Sequence, residues 1–197
     1  MKRPLSLEKM MSILIPGQVY KRSDFIKLSS NVDRNLALLV KKDLLKKVQN
    51  GLYVCPKKTA FGEAPPDENE LILKFLNDDH FVVYGPSQFN SLGLGTTQLY
   101  NKKVVFNRKR HGEMELGGRR YFFHKWREAP KSLSKEFLLV EMMNRLDELA
   151  ENRQDILDRL KDKLKSFNIN KLRYALNHFG TLSAQKKLGP LMSIGEA

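Results

Sequence analysis

Apolar positions along the chain change period more than once, and the changes predict two modules. From Ser6 to Leu14 they recur at helical spacing (Leu7, Met10, Met11, Leu14), with Glu8 and Lys9 turned to water, until Pro16-Gly17 stops the run. Gln18-Val19-Tyr20 reads as a brief extended segment. Ser23 is placed to cap a small second helix carrying Phe25, Ile26 and Leu28. A third helix is expected from Ser30 or Asn31 to about Asp43. On a helical wheel Val32, Leu36, Leu39 and Val40 form one apolar stripe, and Arg34, Leu38 and Lys41 fall opposite, flanked by Asp33, Asn35 and Lys42. The β-prone runs Leu44–Val48 and Leu52–Val54 bracket Gln49-Asn50-Gly51. Asn-Gly in that setting predicts a type I′ hairpin, whose two central residues both take positive φ. Three helices followed by a basic hairpin is the order of a winged helix-turn-helix, here over residues 1–56.

Residues 57–67, with Gly62, Pro65, Pro66 and several charges, read as a linker. Beyond it the pattern predicts a helix from about Asp67 to Asn77, a buried strand Phe81–Tyr84, and a short helix opened by Gly85-Pro86 and closed by Gly93 or Gly95. Strands are expected over Lys103–Asn107, Glu113–Leu116 and Arg119–His124, the last two joined through Gly117-Gly118. Helices follow over about 134–150, 151–166 and 168–179, with Gly180 ending the last long one. The expected fold class is α+β: an N-terminal winged helix-turn-helix, then a mixed α/β domain over 68–197 with a small sheet and a helical C-terminal region from about 134.

Charge changes this picture by saying where a partner would sit. The 197 residues carry a net charge of +13. Residues 1–60 hold 13 lysines and arginines against 4 acidic residues, so most of the excess lies in the first third of the chain. Such asymmetry is the footprint of a polyanion confined to one module. The sequence contains no apolar run long enough to span a membrane. The basic start of the chain, Met1 to Leu5, is not followed by the apolar core of a signal peptide. The lone Cys55 leaves no internal disulfide to form. These readings point to the cytoplasm.

Placed in a major groove, the third helix would bring its N-terminal residues nearest the base edges. Those are Asn31, Asp33, Arg34, Asn35 and Leu38. Arginine pairs with guanine and asparagine with adenine, and Leu38 would meet a thymine methyl. Lys41 and Lys42 lie farther along, toward phosphates. Lys21, Arg22 and Ser23 open the second helix, where amides and cations commonly hold the backbone. Lys46, Lys47, Gln49 and Asn50 would set the wing over the neighbouring backbone or minor groove. Asn31 fits equally as an N-cap, and Lys41, Lys42, Lys46 and Lys47 fit equally as a solvated face.

At the third helix and hairpin the sequence resembles the AbiEi family of antitoxins from type IV toxin–antitoxin systems. The residues that carry the resemblance are Leu36, Leu39, Lys41, Lys42, Leu45, Lys46, Lys47, Gly51 and Tyr53. Asp43 stands where the family usually has glycine at the helix end, and aspartate tolerates the left-handed conformation better than most residues. Ser87 through Leu94, the strands with a Gly-Gly turn, and Asn170 to Met192 with Ala184, Lys186, Lys187 and Gly189 are also similar to the family. The resemblance implies two jobs. The first module would repress its own operon by binding inverted repeats in double-stranded DNA. The rest of the chain would counteract a nucleotidyltransferase-like toxin, usually without a stable complex.

No cofactor, metal or catalytic residue is expected. His80, His111, His124 and His178 lack ligand-type neighbours at metal-binding spacing, and Cys55 has no base nearby in sequence. Asp155, Asp158 and Asp162 alternate with Arg159, Lys161 and Lys165, as on a solvated, ion-paired helix. Arg108, Lys109 and Arg110 with Arg119, Arg120 and Lys125 form a basic cluster expected on adjacent strands. It fits an RNA or nucleotide, an acidic partner, or a charged sheet edge that blocks aggregation; with the resemblance, Arg108, Lys109, Arg110, Arg119 and Arg120 are expected to serve toxin antagonism. The other reading of the chain is a stand-alone winged-helix regulator whose second domain senses a ligand or dimerises.

Overall fold

In the computed structural model, residues 6–97 and 102–194 are described; the basic stretch 1–5 weighed above lies outside them. The class is α+β. The chain divides into two compact units, one of Met1–Asp79 with Met114–Arg120, the other of His80–Glu113 with Tyr121–Ala197. Among the described residues, no helix is long and apolar enough to cross a membrane.

The first unit opens with α1 (Ser6–Ser12) and β1 (Val19–Lys21). The expected second helix is a single 3-10 turn, Arg22–Phe25, and Ser23 does not cap it. Too few apolar positions recur there to sustain an α-helix: Phe25 is buried while Ile26 is 53% exposed. Helix α2 spans Val32–Lys41. It ends as the sequence suggests. Asp43 takes φ 54°, and the Leu44 amide reaches back to the Leu39 carbonyl at 3.0 Å, closing the helix in the Schellman manner.

Strands β2 (Lys46–Gln49) and β3 (Leu52–Val54) form the hairpin, and β1 adds to β3, giving a three-stranded antiparallel sheet in the order β1-β3-β2. Its turn is not type I′: Gly51 has φ 72°, but Asn50 is not at positive φ. The register slips between Lys47 and Gln49, so a bulge at Val48 supplies the twist that a primed turn would have given. Met10, Tyr20, Phe25, Val32, Leu36, Leu39, Leu45 and Cys55 make the core. The Tyr20 hydroxyl ties the end of α1 to β1, donating to the Ile13 carbonyl and accepting from the Ile15 amide, both at 2.8 Å.

The predicted linker is instead a second hairpin, β4 (Lys57–Thr59) with β5 (Gly62–Ala64). Then comes α3 (Glu68–Leu76), capped by Asp67, whose carboxylate accepts from the Glu70 amide at 2.8 Å. Glu70 in turn accepts from the Val19 amide of β1 at 3.2 Å. The first unit therefore runs to residue 79, past the expected boundary at 56.

The second unit is built on β6 (Phe81–Tyr84), a 3-10 helix Pro86–Leu92, β7 (Lys103–Asn107) and those parts of β8 (Gly112–Leu116) and β9 (Arg119–Lys125) that lie outside Met114–Arg120. The sheet order is β6-β7-β9-β8, with β6–β7 antiparallel and β7–β9 parallel. Gly117 and Gly118, at φ 59° and 75°, make the turn of the β8–β9 hairpin, a geometry that strains side-chain-bearing residues. The helical part comprises α4 (Lys135–Asn144), α5 (Arg153–Lys163), α6 (Ile169–Phe179) and α7 (Leu182–Ile194). Helix α7, with Pro190 inside it, extends the helical region past Gly180, where the pattern predicted the last long helix to stop. Phe106, Phe137, Leu139, Met142, Leu172 and Phe179 are central to the core of this unit.

Candidate nucleic-acid interface

Helix α2 presents the face that the wheel predicts. Arg34, Leu38 and Lys41 are exposed, and Lys42 follows them at the C-cap. Leu36 and Leu39, on the other side, are 1% and 0% exposed. Asn31 occupies the N-cap position, yet its side chain makes no capping bond. It is exposed, and its amide group is not committed to capping.

Asn35 is a correction. It is buried, and its side-chain amide donates to Ser29 Oγ at 2.9 Å and Ser6 Oγ at 3.0 Å. It lies one position off the exposed stripe, where the wheel gives a borderline angle, and the two serines supply the partners that make burial tolerable. Asn35 braces α1 against α2 and does not face a ligand.

Of the three residues expected to clamp a backbone ahead of α2, two are already engaged. Arg22 makes a bidentate pair with Asp33. The Lys21 ammonium donates to Asn77 Oδ1 at 2.6 Å, at the end of α3. The backbone amides are spent as well: that of Lys21 on Asp24 Oδ2 at 2.9 Å and that of Arg22 on the Gly51 carbonyl at 2.9 Å. Ser23 is exposed but lines a cleft with Lys21, Asp24, Leu73, Lys74 and Asn77. On the hairpin, Lys47 and Asn50 are exposed, while Lys46 is paired with Glu63 of β5 at 2.5 Å. The β4–β5 hairpin thus supplies a carboxylate from a stretch whose composition reads as a linker.

The second basic cluster is not one site. Parallel pairing of β7 and β9 sets Asn107 opposite Lys125 and Lys103 opposite Tyr121. Arg119 and Arg120 therefore sit at the start of β9, and Arg108, Lys109 and Arg110 follow β7 beside the end of β9. The two groups fall in different units, and in the first unit Arg119 lies 3.7 Å from Glu68. The turn carrying Arg108–Arg110 is organised by Asn107, which is wholly buried. Its Nδ2 donates to the carbonyls of Val105 and Arg110 at 3.0 Å, and its Oδ1 accepts from the amides of Lys109 and Arg110 at 2.8 and 2.7 Å.

His124 belongs to β9, and its ring meets Arg145 at the end of α4. Burial first, then the Arg145 charge, hold its imidazole down to about 4, so it is neutral at physiological pH. Arg145 reaches it at 3.4 Å and stands 3.7 Å from Glu141, a wholly buried carboxylate that also accepts from Tyr84 and from Asn144. Burial pushes the Glu141 carboxyl up. Asn144 fastens α4 to the connection between α6 and α7 through the Phe179 carbonyl and the Thr181 amide. This network braces α4 against β6, β9 and the connection between α6 and α7. Burial likewise raises the Cys55 thiol, away from nucleophilic character. Asp78, Asp79 and His80, consecutive in the chain, bring ligand atoms within 4.8 Å of one another, against the expectation that His80 lacks ligand-type neighbours. Sequence reasoning also missed Trp126 and His111, which line a cleft with Arg108, Lys125 and Arg127; the Lys-Trp-Arg run at 125–127 was the available signal.

The chain matches no known family, and no curated protein matches it. Its fold is similar to that of a solved structure, the RV2827C protein from Mycobacterium tuberculosis, with a TM-score of 0.59 at 15% identity over 98% of this chain and 78% of that one.

Proposed function

We propose that the first unit is a winged helix-turn-helix that binds double-stranded DNA with α2 in the major groove. The observation that carries this reading is the exposed α2 face of Arg34, Leu38 and Lys41, set directly opposite the buried stripe. A rigid helix with a cationic outer face matches the width and charge of that groove. The β1-β3-β2 sheet adds support, because its β2–β3 hairpin carries the exposed Lys47 and Asn50 where a wing would meet the duplex. Titration of the full chain with an inverted-repeat duplex at rising salt tests it. The affinity falls with a log–log slope of about −0.9 for each phosphate neutralised, and Arg34→Ala relaxes sequence preference. Salt-independent binding, or none, overturns the reading.

The resemblance to AbiEi antitoxins extends the proposal to the whole chain. It acts in the cytoplasm as the repressor of its own operon and counteracts a nucleotidyltransferase-like toxin. The basic turn 108–110 is the surface assigned to that antagonism. Co-expression with a neighbouring nucleotidyltransferase-like gene rescues growth, and charge reversal at Arg108 and Arg110 removes the rescue. Rescue that survives the reversal excludes this turn.

A further inference from the structure

The cleft beside the end of β9 combines an aromatic wall with three cations. Arg108, His111, Lys125, Trp126 and Arg127 line an open surface cleft of about 540 Å³. No carboxylate is among the described residues that line it. The indole of Trp126 is fixed from behind. Its Nε1 donates to the His178 carbonyl at 2.8 Å, its backbone amide donates to the Asn107 carbonyl at 2.8 Å, and its ring lies 5.7 Å from that of His124. The Arg127 guanidinium leans on the Asn177 carbonyl at 3.4 Å. His111 meets Phe122 edge-on at 5.4 Å, and Lys102 lies over the Phe122 ring at 5.0 Å.

We infer that this cleft binds a nucleotide, the base stacked on Trp126 and the phosphate held by Lys125 and Arg127. Stacking asks only for a π-face, which every base has, and the cations answer the phosphate. An acidic peptide would use the cations and leave the indole idle. The turn that carries His111 follows directly on the buried Asn107, which fixes its backbone, so that wall is held before a ligand arrives. The inference does not depend on DNA binding by α2.

Trp126 is the single tryptophan of the chain, so its emission reports on this cleft alone. The full-length protein is titrated with adenosine monophosphate, with single-stranded oligoadenylate and with adenosine, exciting at the red edge of the indole band. Saturable quenching is expected from a phosphate-bearing probe, about tenfold weaker or worse in Lys125→Ala/Arg127→Ala. That variant keeps the tryptophan, and an unchanged melting curve shows that it folds. Quenching by the mononucleotide identifies a free nucleotide as the ligand, and quenching by the oligomer alone identifies a strand. Quenching by neither probe, equal quenching by adenosine, or quenching indifferent to the double substitution overturns the inference. The same titration of Arg34→Ala is expected to match the parent protein, which keeps this outcome separate from that of the DNA reading.

Discussion

Arg22 and Asp33 hold each other through two hydrogen bonds, Nε to Oδ1 and an Nη to Oδ2, each 2.7 Å long. The pair joins the 3-10 turn to the first turn of α2, beside the residues proposed to read bases. It also holds the Asp33 carboxyl below the usual carboxylate range, chiefly through the hydrogen bond, so the pair persists at neutral pH. Asp33 places a negative charge where a duplex would approach. Its removal frees one guanidinium and deletes one repulsion. Asp33→Asn is therefore expected to tighten binding to all duplexes alike and to steepen the salt dependence by about one phosphate contact. Fluorescence anisotropy at several salt concentrations checks this, and weakened binding would show that the pair orients α2 instead of masking it.

The two wing lysines, adjacent in sequence, differ in what they already touch. Lys46 is paired with Glu63 at 2.5 Å, so a phosphate would have to displace a carboxylate. Lys47 is exposed, and no ion pair is found for it among the described residues. Lys47→Ala is expected to lower affinity for every duplex and to flatten the salt slope, and Lys46→Ala to do so less. Glu63→Gln is expected to restore Lys46 as a contact and strengthen binding. Equal losses from both lysine variants would remove the Glu63 pair from the account.

Asn35 and Arg34 are neighbours with opposite fates. Asn35→Ala leaves Ser29 and Ser6 without their shared donor in a buried setting and is expected to cost about 1–3 kcal/mol of stability. Sequence preference should not change. Arg34→Ala is expected to leave stability intact and to lower discrimination by roughly 1–3 kcal/mol at one base pair. Chemical denaturation and competition binding on both variants separate the roles, and a shifted base preference in Asn35→Ala would return it to the interface.

What the sequence made legible depended on how local the cause was. The left-handed turn at Asp43, the helix beginning near Asp67 and the Gly117-Gly118 hairpin follow from residues within a few positions, and each is present. The β4–β5 hairpin was hidden because Lys57–Thr59 and Gly62–Ala64 are short and mostly exposed, with no alternation to read. Helix α7, which the resemblance implies, is hidden from the periodicity by Gly189 and Pro190, ordinary helix breakers that packing of Ala184, Leu188 and Met192 overrides. The parallel β7–β9 pairing, which separates the two arginine groups, is a long-range choice that no local pattern encodes. Arg34, Leu38 and Lys41 were legible because a helical wheel needs only the helix. The engagement of Lys21, Arg22 and Lys46 was not, because Asn77, Asp33 and Glu63 come from other elements.

His124 gives the fold a pH dependence with a definite sign. Its imidazole is held down to about 4, by burial first and then by Arg145 and His111, with Glu148 opposing. Unfolded, it titrates near the ordinary histidine value of roughly 6.5. Between those two values the unfolded chain binds a proton that the native state refuses. Stability is therefore full above about pH 6.5 and is lost as the pH falls toward 4. The loss precedes most carboxylate titration, so the upper half of that window belongs to histidine. His124→Gln, which keeps the polarity and cannot be charged, is expected to show a flatter melting temperature between pH 7 and 5 than the parent chain. If the two profiles stay parallel across that range, the acid sensitivity lies elsewhere, and Arg145 does not act on the fold through His124.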